Sequence, residues 1–288
     1  MPPAAPAPRP GPTGWGVAAA TALVMVAFAA NSVLARAALV GGHADAFSFT
    51  ALRLAAGAAA LGLLVAARRT RPGGDAVSAG ALVVYAAGFS AAYLALPTGT
   101  GALVLFGAVQ LTMVGWGVAR GERLGPRATL GLVAALGGLV WLVAPGVDAP
   151  PLGPALAMAA AGVGWGAYSL RGRGSADPTA DTAGNFLRAA PAGAVLAAGA
   201  LALGRAHLDG AGAVLAVASG ALTSGLGYAA WYAVLPHLRA TSAAVVQLSV
   251  PVLAALGGVA FVAEPITARL ALASALTLGG IALVVRER

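Results

Sequence analysis

Residues 122–143 read ERLGPRATLGLVAALGGLVWLV, and residues 264–285 read EPITARLALASALTLGGIALVV. Laid over one another without a gap, Glu122 meets Glu264, Arg127 meets Arg269, Leu130 meets Leu272 and Leu136 meets Leu278. The pair Gly137-Gly138 falls on Gly279-Gly280. Ala, Leu and Gly match freely in such a chain, but an acid, a base and a glycine pair at identical spacing do not. Two further echoes lie upstream at similar offsets: AAYLALP (Ala91–Pro97) against AAWYAVLP (Ala229–Pro236), and Arg53 in SFTALRLAAG against Arg188 in GNFLRAAPAG. An internal duplication decides the architecture before any local reading does. Here it divides the chain into halves over 14–146 and 152–286.

Of 288 residues, 59% are hydrophobic and 9% charged, against about 45–50% and about 25% in an ordinary soluble domain. The mean hydropathy is +0.87. No soluble core needs that much apolar chain, so a polytopic membrane protein is expected. The net charge of +8 comes from Arg alone, scattered in ones to threes between apolar runs. That pattern fits membrane orientation and not a nucleic-acid surface; Arg without Lys, amid so much Ala and Gly, suggests a GC-rich bacterial source. The absence of Cys removes disulfides, thiol catalysis and Cys-ligated metals.

The first thirteen residues carry six prolines and predict a disordered cytoplasmic tail. The apolar run from Val17 could pass for a signal-peptide core, but it continues to Leu39, long enough to span. A span needs about 20 apolar residues. Ten segments qualify: 15–37, 46–67, 77–96, 101–119, 127–144, 153–170, 183–203, 212–235, 240–262 and 267–285. The predicted fold is therefore an all-α polytopic membrane protein, with ten transmembrane helices as two five-helix repeats. Five is odd, so the second repeat lies inverted relative to the first.

With the N-terminus inside, the inner loops and ends hold Arg9, Arg68, Arg69, Arg71, Arg120, Arg123, Arg127, Arg171, Arg173, Arg239, Arg286 and Arg288. The outer loops hold Arg36, Arg205 and Arg269. Twelve against three places both termini in the cytoplasm. Small residues four apart, such as Gly162/Gly166 and Gly117/Gly121, predict close helix packing.

Catalytic signatures are missing: no HExxH, no GxSxG, no GK[ST] phosphate loop, and all three histidines fall in predicted loops. No enzyme activity, cofactor or metal is expected. All nine acids sit in loops or at helix ends, so proton coupling through a buried mid-membrane acid is not expected. Arg53 and Arg188 lie within spans, Arg53 about 10 Å below the outer surface at about 1.5 Å per residue. Three roles fit them: snorkelling to the headgroups, gate contacts (Arg53 with Glu264 outside, Arg188 with Glu122 inside), or holding a substrate carboxylate.

The other polar and aromatic side chains at depth are Asn31, Tyr85, Gln110, Tyr228 and Gln247, with Tyr93, Trp165 and Trp231 nearer span ends. Ser224, Tyr228 and Tyr232 share one helical stripe, and Gln247 shares another with Pro251, which removes a backbone hydrogen bond within its span. A buried amide needs a partner, so Gln110 and Gln247 face either another helix or a wet cavity. Trp15, Trp116 and Trp141 read as interface anchors, as Tyr168 and Trp231 do unless they reach the cavity.

Ten spans as two inverted fives resemble the drug/metabolite transporter superfamily, specifically its EamA-type exporters. The residues that carry the resemblance are NSVLARAAL (Asn31–Leu39), FSFTALRLAAG (Phe47–Gly57), and the turns Gly121–Leu124 and Ala263–Ile266, each leading to a Gly-Gly pair. The resemblance implies a bacterial inner-membrane exporter of amino acids or similar metabolites, working from a central cavity between the repeats. The chain departs from the small multidrug relatives in offering Asn31 and Ser32 where an essential Glu would stand, and from the family at Val109, often Pro. The rival within this class is a drug or quaternary-ammonium exporter using the aromatics by cation–π contact; a non-transporting membrane scaffold is the reading from another class. The expected partners are a small-molecule substrate and the bilayer, with no nucleic acid; a monomer is compatible with the sequence.

Overall fold

A computed structural model describes residues 14–238 and 246–287. The expected tail over 1–13 and the start of the ninth span lie outside them. The described residues are helical, apart from one isolated antiparallel bridge between Ala44 and Leu208. The helices are α1 (Gly14–Val40), α2 (Ala46–Ala67), α3 (Ala76–Tyr93), α4 (Thr98–Ala119), α5 (Pro126–Val143), α6 (Leu152–Gly172) and α7 (Pro178–Ala202). Then come α8 (Gly210–Val217), a π-helical stretch (Ala218–Leu226) and α9 (Gly227–Val234), which run on as one span. The chain closes with α10 (Ser249–Val262) and α11 (Ala268–Glu287).

Eight of the described helices are long and apolar enough to cross a membrane, against the ten expected. Two segments account for the difference. α10 has 14 described residues, and α6 is long enough but less apolar. Its glycines explain why it tolerates that. A Cβ at Gly162 would meet Leu105 O of α4 at 2.5 Å, and one at Gly164 would meet Ala81 O of α3 at 2.9 Å. α3 and α4 approach α6 closely at these glycines. Pro251 lies in the first turn of α10, and the turn at Leu248 between helical residues 246–247 and α10 interrupts the helix beside it, as its missing N–H predicts.

Side-chain carboxylates start the helices. Asp45, Asp75, Asp177 and Asp209 each accept from backbone N–H groups at the N-termini of α2, α3, α7 and α8. Arg269 does the converse at the end of α5, where it donates to the carbonyls of Trp141 (2.8 Å), Ala144 and Val147 (2.7 Å).

α2 packs along α7, α5 along α11, α3 and α4 against α6, and α1 against the eighth span and α10. The opening register of the sequence survives in this packing. α5 buries Ala128, Gly131, Ala135, Gly138 and Leu142; the same ungapped register lands on Leu270, Ala273, Thr277, Gly280 and Val284, all buried. At the crossing, a Cβ on Gly131 would strike Gly280 O and one on Gly280 would strike Gly131 O. The backbones touch there. Gly137 and Gly279, also matched, meet nothing.

Candidate functional site

Two adjoining cavities lie among α1, α3, α4, α6 and the eighth span. The wider, of about 380 Å3, is lined by Gln110, Trp165, Tyr228, Trp231, Tyr232 and Gln247, among others, with the exposed Arg173 beside them. That volume is in the range of small-molecule sites. The second is a small chamber with about 20 Å3 of free space, where Asn31, Ser32, Tyr85 and Thr223 join a mainly apolar lining that includes Phe89. Phe28, Trp165 and Tyr228 line both cavities and form the partition between them. The Trp165 and Tyr228 rings lie 4.7 Å apart, and Phe28 meets Tyr228 edge-on at 5.8 Å.

A hydrogen-bonded cluster backs the chamber, reaching it through Asn31, Tyr85 and Thr223, with Arg53, Ser219 and Ser224 behind them. Asn31 Nδ2 donates to the Tyr85 hydroxyl (3.1 Å), while Asn31 Oδ1 accepts from Ser219 (2.6 Å) and Thr223 (3.1 Å). Arg53 Nη2 donates to the same Tyr85 hydroxyl (2.8 Å) and, with Nε, reaches Ser224 Oγ at 3.3–3.4 Å. The guanidinium also lies over the rings of Tyr85 (5.0 Å) and Phe89 (4.7 Å). Ser219, Thr223 and Ser224 all come from the π-helical stretch, whose i→i+5 bonding brings Ser219 and Ser224 onto one side. Of the expected stripe of Ser224, Tyr228 and Tyr232, Ser224 bonds both Arg53 and Tyr228, and the two tyrosines line the wider cavity.

Arg53 departs from the snorkelling role. Its side chain is 1% exposed, and it does not pair with Glu264. Glu264 takes Arg36 instead: Nε donates to Oε1 at 2.7 Å, and Glu264 Oε2 accepts from Thr98 N at 2.6 Å. Arg36 also donates to Tyr93 O at 2.8 Å. One ion pair thus joins the end of α1, the α3–α4 turn and the α10–α11 turn. The αL conformation of Ala263 (φ 55°), which ends α10, turns the chain for this contact. Arg188 donates to Gly73 O in the α2–α3 loop, and Glu122 is exposed in the α4–α5 turn.

Among the residues singled out for the cavity, the structure brings together Asn31, Tyr85, Gln110, Trp165, Tyr228, Trp231 and Gln247 at the two spaces. Tyr93 lies elsewhere. It is fully buried, edge-on to Phe89 at 4.7 Å, with its hydroxyl donating to Thr98 O beside the Arg36–Glu264 pair. Sequence reasoning missed Phe28, Phe89, Thr223 and the site role of Arg36. For Arg36 the signal was available, since it stands one turn from the end of its helix with Glu264 on the same expected face. Trp116 and Trp141 are exposed at helix ends, each under an arginine, Arg120 at 4.6 Å and Arg269 at 5.6 Å.

The EamA-like transporter family model matches residues 152–286. The uncharacterized protein PA1977 of Pseudomonas aeruginosa is 55% identical over 272 residues, covering 93% of this chain and 94% of that protein. The chain belongs to the EamA-like transporter family. A protein crystal structure with 25% identity superposes with a TM-score of 0.64, covering 92% of this chain and 95% of the other. This family member is a multi-pass membrane protein with a transporter fold. Among the described residues no His/Asp/Glu group is arranged to hold a metal ion.

Proposed function

We propose that the protein exports amino acids or related small metabolites across the bacterial inner membrane by alternating access, with both termini cytoplasmic. The observation that carries this reading is an asymmetry between the two ends of the bundle. The end bearing the α3–α4 and α10–α11 turns is closed by Arg36, Glu264 and Thr98 N. Toward the other end the bundle holds the 380 Å3 vestibule, with Arg173 at its rim. In the proposed orientation the vestibule faces the cytoplasm, where substrate is loaded. Phe28, Trp165 and Tyr228 separate it from the chamber and act as an inner partition.

Two inverted repeats, 14–146 and 152–286, supply the moving parts in this proposal. Helix contacts that recur in pairs support them. α3 against α6 is matched by the eighth span against α1, and α4 against α6 by α10 against α1. α2–α7 and α5–α11 are then the pairs that cross the twofold.

The test is counterflow uptake of a labelled amino-acid panel into liposomes holding the purified protein, without a proton gradient. Uptake that is lost in Tyr228→Ala supports the reading; no uptake of any amino acid or metabolite rejects it. Movement of organic cations alone transfers the assignment to the drug-exporter reading, which the aromatic lining of Trp165, Tyr228 and Trp231 favours.

A further inference from the structure

We infer that Arg53 is the receptor for a single carboxylate, so that the chamber selects monocarboxylate substrates, α-amino acids among them, and excludes cations. The inference rests on the exporter reading for its site and adds the chemistry that the site recognises.

Arg53 is a fully buried charge in the middle of a membrane bundle. Guanidinium does not give up its proton in a protein, so burial cannot neutralise it. Its bonds go only to hydroxyls, those of Tyr85 and Ser224, and Nη1 is buried without a hydrogen-bond partner. No carboxylate among the described residues forms an ion pair with it. Ionisable residues within membranes pair with one another or mark a substrate path, and the pair is absent here. The acid expected to pair with it, Glu264, is committed to Arg36.

Three features set the class of the missing counter-charge. One cation with one unpartnered nitrogen matches one negative charge; a phosphate dianion would carry a surplus charge into the same low-dielectric wall. Asn31 Nδ2 and Arg53 Nη2 converge on the Tyr85 hydroxyl, so donors from two helices already cluster where a carboxylate oxygen would sit. The partition next to them is aromatic, with Trp165 and Tyr228 rings 4.7 Å apart, a surface that suits the ammonium or apolar side of a zwitterion. The chamber has only about 20 Å3 free in this conformation, and Arg53 stands behind its Tyr85 and Phe89 rings. The carboxylate reaches it when the partition swings, and the gain on pairing Arg53 favours that movement.

The experiment uses the full-length protein and two readouts. Thermal stabilisation in detergent and competition in the counterflow assay are measured with the protein amino acids, with their matched carboxamides, and with tetramethylammonium. The expected result is stabilisation and competition by one or more acids, about tenfold weaker with the matched amide, a difference worth about 1.4 kcal/mol, and neither effect from the cation. Arg53→Gln is expected to abolish the acid–amide discrimination, and Arg53→Lys to keep part of it, since a point charge survives without the fork. An amide that acts as well as its acid, a preferred cation, or no carboxylate that stabilises the wild-type protein overturns the inference, whether or not Arg53→Gln folds. Stabilisation by acids without any counterflow leaves the inference standing and rejects the exporter reading instead.

Discussion

Arg36 and Glu264 are held 2.7 Å apart with little exposure, and each is also engaged with backbone, Tyr93 O and Thr98 N. Breaking one side of a buried ion pair costs about 3–5 kcal/mol, because the other charge is left uncompensated. If this pair closes the outer end, Arg36→Glu or Glu264→Arg alone lowers both thermal stability and transport. The double exchange recovers a substantial share of each, and a loss equal to the sum of the two single losses would remove the pair from the gate. Asp75 illustrates a different effect. Hydrogen bonds from the Ser78 hydroxyl and backbone N–H, with a smaller contribution from Arg171, lower its pKa to about 2. Its folded-state value lies below its unfolded one, so its stabilisation is complete above the ordinary carboxylate range and is lost as the pH falls through about 2. A melting series from pH 6 to pH 2 should therefore show a decline that is smaller in Asp75→Asn. At this scale the sequence was only partly legible. An arginine in a span can snorkel or be enclosed, and which occurs depends on whether neighbours such as Phe89 and Ser224 cover it. No local pattern carries that information.

Single helices show more sequence in their packing. The shared register of α5 and α11 was readable as a repeat, and at their crossing it sets Gly131 against Gly280, where only small residues let the backbones meet. The π turn was not readable, since nothing in ASGALTSGL distinguishes i→i+5 from i→i+4 bonding. Its seating is nonetheless tight: a Cβ at Gly220 would stand 2.8–2.9 Å from the backbone C and Cα of Arg53, and closer still to its carbonyl. Gly220→Ala should destabilise the protein by about 1–3 kcal/mol through overpacking and move Ser224 off Arg53, read as a lower melting temperature together with weaker substrate stabilisation. Gly279→Ala, which meets nothing, is the control and should melt as wild type. Equal melting of the two variants would mean that α2 yields to the added methyl.

Across the whole molecule, most span boundaries came from punctuation by Gly, Pro, Asp and Arg, and α2 falls on its expected 46–67. Eight of the ten expected spans pass on apolarity; α6 is too rich in glycine and polar residues, and the ninth span begins outside the described residues. The absence of cysteine gives a clean background for topology. In intact cells, a cysteine placed at Val147 should react with an impermeant maleimide, and one at Gly174 should react only after permeabilisation. The opposite pattern would invert the proposed orientation.

The modest apolarity of α6 also has a consequence for how the chain is made. A membrane-insertion machinery admits each segment by its own partitioning into lipid, and the sixth helix is poorly equipped for that test alone. Its glycine faces are complementary to α3 and α4, which leave the ribosome before it. Synthesis order thus supplies the docking surface in advance, so the early helices act as a template for the entry of the later half. The second half expressed alone from residue 147 should leave α6 unintegrated in a glycosylation-mapping assay, while co-expression of the first half restores it.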